Sequence, residues 1–155
     1  MMLRVAALAA LLVTISCNRA PDAQPLVPIE RAEFAPTLGV DLGASSRTAG
    51  GAYWRDVQVG TGEEVRAGQA VSVHYRGTLR DGTEFDENEG DERPYTFRLG
   101  EGRVIRGWEE GVAGMRVGGT RQLVIPPELG YGPQGSGPIP GNAILVFTVT
   151  VVAAE

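Results

Sequence analysis

The stretch from Ala70 to Leu79, AVSVHYRGTL, sets Val71, Val73, Tyr75 and Leu79 against Ser72, His74, Arg76 and Thr78. Apolar and polar residues in alternate positions are the pattern of a strand buried on one face. YWRDVQVG, from Tyr53, reads as a first strand ended by Gly60 and Gly62, and YTFRL, from Tyr95, as another. GGTRQLVIP and AILVFTVTVV are rich in β-branched residues and read as two more. RDGTEF carries an Asp81-Gly82 turn, which folds the chain back as a hairpin. One segment breaks the two-residue period. In VIRGWEEGVAGM, Ile105, Trp108, Val112 and Met115 recur at steps of three, four and three, which is one face of a helix. Glu109 and Glu110 fall in its N-terminal half, where negative charge suits the dipole, and Gly118 offers a stop. Each interior glycine weakens such a helix by about 1 kcal/mol relative to alanine, so packing must hold it. The two glutamates then read as a solvated face and not as a catalytic acid pair. The expected domain, residues 53–155, is α+β: one short amphipathic helix against a curved antiparallel sheet. PELGYGPQGSGPIPGN, between the last two strands, is a long loop of the kind that often carries function.

The first residues follow another pattern. MMLRVAALAALLVTISC has Arg4, then an apolar run from Val5 to Ile15. The run is shorter than the ~20 residues a membrane-spanning helix needs. A charged start, a short apolar segment and small residues at its end mark residues 1–16 as an export signal. TISC resembles a bacterial lipobox, with Thr14 where leucine is usual, and this makes Cys17 the expected lipidation site. A lipid chain contributes about 0.8 kcal/mol per buried methylene, and lipoproteins carry several chains. Plain secretion with a free thiol, leaving a soluble periplasmic protein, is the other reading. Asn18 after the cysteine resembles enterobacterial sorting to the outer membrane. Residues 17–52, with Pro21, Pro25, Pro28 and Pro36 and then Gly39, Gly43, Gly50 and Gly51, read as a flexible tether. A short helix near Ile29 to Phe34 is the one element expected there.

Composition narrows the chemistry. The net charge of -5 disfavours a nucleic-acid partner. One cysteine allows no internal disulfide, and one histidine, His74, allows no multi-histidine metal site. His74 lies inside a regular strand and reads as structural rather than as a catalytic base. DENEGDERPYTF fails as a calcium loop, because Asp91 and Phe97 stand where glycine and glutamate are required. GEGRVI and GTGEEV lack the third glycine of a dinucleotide fingerprint. What remains is aromatic and apolar: Tyr75, Phe85, Tyr95, Phe97, Val104, Ile105, Trp108, Tyr131 and Phe147. By composition this set reads equally as a core or as a shallow binding pocket.

VHYRGTLRDGTEFD, VIRGWEEGVAGMRVG, LVIPPELGYG and ILVFTVTVV resemble, in order and spacing, the FKBP-type peptidyl-prolyl cis-trans isomerases. The resemblance covers about residues 53–155. It implies a half-open antiparallel sheet wrapped around one short helix, and an enzyme acting on Xaa-Pro bonds of exported or unfolded proteins without cofactor or metal. It implies a pocket floored by Trp108 and walled by Tyr75, Phe85, Tyr95, Phe97, Val104, Ile105 and Phe147. Ile139 belongs to its loop side, and Asp86 and Tyr131 are its polar rim. Tyr75, Phe85, Asp86 and Tyr131 are the expected catalytic set. The Ile105 N–H and the Tyr131 hydroxyl are expected to bond ligand carbonyls, and macrolide inhibitors are expected ligands. Tyr95 stands where many members have phenylalanine. The arginine that often pairs with the Asp86 position has no counterpart; Asp91 falls there by counting, and Arg93 is the candidate substitute. A non-catalytic chaperone or peptide-binding module of the cell envelope is the alternative, and a purely structural envelope lipoprotein a third reading.

Overall fold

The computed structural model describes residues 21–155. The expected export signal (1–16) and Cys17 lie outside the described residues.

Seven antiparallel strands form one sheet: β1 (Ser46–Arg47), β2 (Tyr53–Gln58), β3 (Ala70–Leu79), β4 (Glu84–Glu87), β5 (Tyr95–Arg98), β6 (Thr120–Ile125) and β7 (Leu145–Ala154). The order across it is β1-β2-β6-β7-β3-β4, with β5 also on β3. The first half of β3 pairs with β5 (Val71 opposite Phe97) and the second half with β4 (Gly77 opposite Asp86). β4 and β5 therefore share one edge of β3, and the acidic loop leaves the sheet between them. The β3–β4 turn is built as read. The Thr83 N–H donates to Asp81 Oδ1 at 2.9 Å, and these bonds hold the Asp81 carboxyl below its ordinary range.

Alternation sorts side chains to two faces. Leu123, Ile125, Leu145, Phe147, Val149, Val151, Val71 and Val73 point to the inner face, where α1 (Arg106–Val112), the one α-helix among the described residues, packs through Trp108 and Val112. This is the α+β architecture expected, but the helix is shorter than the spacing implied. Ile105 is its N-cap with extended backbone, and the helix stops at Val112 rather than running to Gly118. Buried Arg121 on β6 accounts for the stop. Its Nη1 donates to the Gly111 and Ala113 carbonyls at 2.9 and 3.3 Å, while Nε and Nη2 hold Asp56 on β2. Carbonyls that one more helical turn would use are thus taken by the sheet. The interior glycines have a packing reason. A methyl group on Gly107 would collide with Ile125, and one on Gly111 with Leu123.

The outer face of the sheet is not bare. Val124, Ile144 and Val146 are buried there under Ile29, Phe34, Leu38, Val40 and Leu42. The expectation of a flexible tether over residues 17–52 does not describe residues 29–42, which pack on this face. The segment's prolines and glycines interrupt any period, but its apolar residues meet a sheet face that is itself apolar. Further bonds fasten it. Gln122 Nε2 donates to the Leu38 carbonyl (2.7 Å), and the Ala35 N–H to the Arg80 carbonyl (2.8 Å). The helix expected near Ile29 to Phe34 is one 3₁₀ turn, Ile29–Arg31.

Candidate active site

A hollow of about 450 Å³ opens between the N-terminal end of α1, the β3–β4–β5 edge and the loop carrying Tyr131. Its floor is Trp108, only 5% exposed. The indole meets Tyr75 and Phe147 edge to face, with ring centroids 5.1 and 5.3 Å apart. Phe85 closes the side against Phe147 at 5.5 Å. Such edge-to-face sets hold rings in fixed orientations. The indole Nε1–H is buried without an acceptor, so the floor offers ring surface and almost no exposed polarity. Val104 and Ile105 complete the apolar lining.

Room for these walls comes from Gly77. Any Cβ there would lie 2.6 Å from Phe147 and 2.7 Å from Phe85. A glycine inside a strand commonly marks such a close approach, and the Gly77 of HYRGTL is that signal in the sequence.

The rim is polar. Tyr75 Oη donates to Asp86 Oδ2 at 2.7 Å. Burial raises the Tyr75 phenol pKa, and the bond and charge of Asp86 raise it further. Burial likewise raises Tyr131, followed by the charges of Asp86 and Tyr95. Both hydroxyls therefore stay protonated and able to donate at neutral pH. The Ile105 N–H enters no hydrogen bond among the described residues, while its carbonyl caps the start of α1. Among the described residues no arginine forms an ion pair with Asp86; the Tyr75 hydroxyl holds the carboxylate instead, and Arg93 does not substitute.

Buried Asn88 keeps this edge in register. Its Oδ1 accepts the Tyr75 N–H (2.7 Å), its Nδ2 donates to the Val73 carbonyl (3.2 Å), and its N–H to the Tyr75 carbonyl (3.0 Å). It does the work of a strand residue where β4 has ended and β5 has not begun. His74 Nδ1 lies 3.0 Å from the Asn88 carbonyl, a contact in which the ring N–H donates. The histidine thus fastens the loop from outside the hollow.

Of the expected site residues, the hollow brings together Tyr75, Phe85, Asp86, Tyr95, Val104, Ile105, Trp108, Tyr131 and Phe147. It does not include Phe97 or Ile139. Phe97 is buried behind the wall, stacked on Tyr95 (6.0 Å) and tilted against Trp108 (5.7 Å). Ile139, on the long loop, is buried in the core. Both were assigned as lining, and both support the lining from the second layer. Nor are the helix glutamates a solvated face. Glu109 accepts the Gly100 and Gly102 N–H groups (2.6 and 2.9 Å), and Glu110 accepts the Thr48 hydroxyl (2.6 Å) and the Gly50 N–H (2.8 Å). Glu109 thereby fixes the turn that delivers Val104 and Ile105. Those bonds join residues far from the helical pattern, which is why spacing alone did not reveal them. Among the described residues, no group of three or more His, Cys, Asp or Glu side chains is arranged to hold a metal.

The comparisons agree with this geometry. The model of the family described as FKBP-type peptidyl-prolyl cis-trans isomerase matches residues 61–152. FK506-binding protein 2 of Aspergillus fumigatus is 55% identical over 89 residues, 57% of this chain and 66% of that protein. Peptidyl-prolyl cis-trans isomerase FKBP2 of Mus musculus is 43% identical over 126 residues, 76% of this chain and 90% of that one. Among solved structures, FkpA from Escherichia coli aligns with a TM-score of 0.66 at 40% identity, covering 72% of this chain and 52% of that one.

Proposed function

Because the chain belongs to the FKBP-type peptidyl-prolyl cis-trans isomerases and catalyses that reaction, we propose that its aromatic hollow accelerates isomerisation by accepting the twisted prolyl amide better than the planar one. The uncatalysed barrier is about 20 kcal/mol. No bond is made or broken at the amide apart from loss of its resonance. As the amide twists, its dipole shrinks, and leaving water costs it less than it costs the planar form. A dry pocket that fits the twisted form therefore lowers the barrier. Each tenfold gain needs about 1.4 kcal/mol of such preference.

In this reading the proline ring rests on Trp108 between Tyr75, Phe85 and Phe147. The Ile105 N–H and Tyr131 hydroxyl receive carbonyls of the bound segment. Asp86, held by Tyr75, polarises the twisted amide. The observation that carries the proposal is the hollow itself: aromatic rings with Val104 and Ile105 around an indole floor, and hydrogen-bond donors at the rim. The test is turnover of a proline tetrapeptide in a protease-coupled assay. Asp86→Leu and Phe85→Ala should each lower kcat/KM by about tenfold or more, the loss of one positioned transition-state contact. Full activity in both would refute the assignment. Binding of unfolded chains without acceleration would instead mark a chaperone. Macrolide inhibitors, which the relatives' names attach to those proteins, should compete for the same hollow.

The clients we infer are exported or unfolded proteins of a bacterial envelope. That inference rests on MMLRVAALAALLVTISC, read as a signal with a lipidated Cys17, and on Asn18 after it, read as sorting the anchored domain to the outer membrane on its periplasmic side. Labelled palmitate incorporated by the wild type and absent from Cys17→Ser would support it. Equal release of both into the periplasmic fraction would overturn it.

A further inference from the structure

One lining residue has no part in the mechanism above. Arg103 is the single cation of the hollow. It is exposed, and its guanidinium has no hydrogen bond, ion pair or ring contact among the described residues. Other arginines around the site are engaged: Arg76 with Glu84 (3.0 Å), Arg98 with Glu101 (3.5 Å) and Arg106 with Glu110 (3.5 Å). Yet Arg103 stands on a rigid base. Glu109 ties down the N–H groups of Gly100 and Gly102, the latter its immediate neighbour. The one anion of the lining, Asp86, is bonded to Tyr75 and lies outside ion-pair reach of Arg103. A second donor in the same lining, the Tyr95 hydroxyl, also has no hydrogen-bond partner among the described residues, and that residue is 42% exposed. Two uncommitted donors thus line the same hollow as the Ile105 N–H and are open to an acceptor that the client brings.

We propose that Arg103 sets the charge specificity of the site, favouring an Asp or Glu side chain beside the client proline over a Lys. This rests on the isomerase mechanism above. A guanidinium binds a carboxylate through parallel N–H groups, and an ammonium would be repelled. The pair forms at an exposed rim, so the effect is modest, about threefold for one charge and salt-dependent. The acids between Glu84 and Glu92 oppose it. Its signature is thus a change in preference between variants, not an absolute liking for acidic clients.

The experiment uses the full chain and two tetrapeptide series. One places Glu, Gln or Lys immediately before proline, and the other places them immediately after. Each is measured for wild type, Arg103→Gln and Arg103→Glu. The expected result is that the Glu-over-Lys ratio of kcat/KM falls about fivefold to tenfold from wild type to Arg103→Glu in at least one series. Arg103→Gln should lie between, the change should sit mainly in KM, and it should shrink at high salt. An unchanged ratio in both series overturns the proposal. So does an equal loss on all three peptides, which would make Arg103 merely structural. Failure of wild type on the Gln peptides would instead strike the isomerase mechanism, so the two failures are distinguishable.

Discussion

At the scale of single residues, Gly77 does no chemistry and yet decides the shape of the hollow. Gly77 contributes only the absence of a side chain. Gly77→Ala should push Phe85 and Phe147 aside and lower kcat/KM by about tenfold or more, because rings displaced by an ångström no longer fit one geometry. An unchanged kcat/KM in a folded variant would show that the rings relax without consequence. Tyr75 carries the other lesson. Its phenol is held above the ordinary value of about 10, as is that of Tyr131, burial being the first cause in both. Once unfolded, both ionise near that value, while in the fold they keep their protons. Above pH of about 10 the unfolded chain therefore binds fewer protons, and stability falls as pH rises. Below it both states hold the protons and the two groups contribute no slope. The urea midpoint should thus decline from about pH 10 upward on account of these tyrosines; for Tyr75→Phe with Tyr131→Phe the decline should be shallower. A midpoint equally steep in the double variant would reject the assignment. The aromatic identities were readable from the chain by resemblance to a family. The Tyr75–Asp86 bond that stands in for an absent arginine was not, since it joins β3 to β4 through side chains.

Among the elements, α1 shows how a poor helix former is held. Its glycines cost helix propensity, yet they let the axis lie close to β6, where Ile125 and Leu123 fill the space a methyl group would occupy. Gly107→Ala should therefore destabilise the domain by about 1–3 kcal/mol, the range for overpacking, despite the better propensity. A raised thermal midpoint would mean that propensity outweighs packing here. The same helix organises the site through Glu109. Glu109→Ala should free the turn 100–102 and weaken binding of a competing macrolide, with kcat on a neutral peptide falling less than KM rises. Equal macrolide affinity in both proteins would show that Val104 and Ile105 hold their place without it. Helical spacing revealed that a helix exists and which face is apolar. Its end at Val112 was not visible, because the buried guanidinium of Arg121 that takes the last carbonyls comes from the next strand.

For the whole molecule, the domain does not begin at the first strand of the family pattern. Residues 28–42 roof the outer face of the sheet, and Glu110 clasps Thr48 and Gly50 to the helix that floors the hollow. Starting the chain at Tyr53 should expose Val124, Ile144 and Val146, each worth about 1.5 kcal/mol or more in burial. A protein begun there should melt lower and bind a hydrophobic dye; one equally stable and dye-free would show the roof to be ornamental. That roof reads as a tether in the sequence because its prolines and glycines break any period, and composition does not see what its apolar residues meet. The continuous runs LVI and AILV, apolar on both sides of the strand, were the available sign that both sheet faces are covered. Periodicity along the chain settled the strands, the hairpin and the helix, since local backbone geometry repeats at two residues or at 3.6. It could not settle the depth of the hollow, the partner of Asp86, the second-layer places of Phe97 and Ile139, or the roof. Those depend on contacts between residues tens of positions apart, and such contacts leave no period in a sequence.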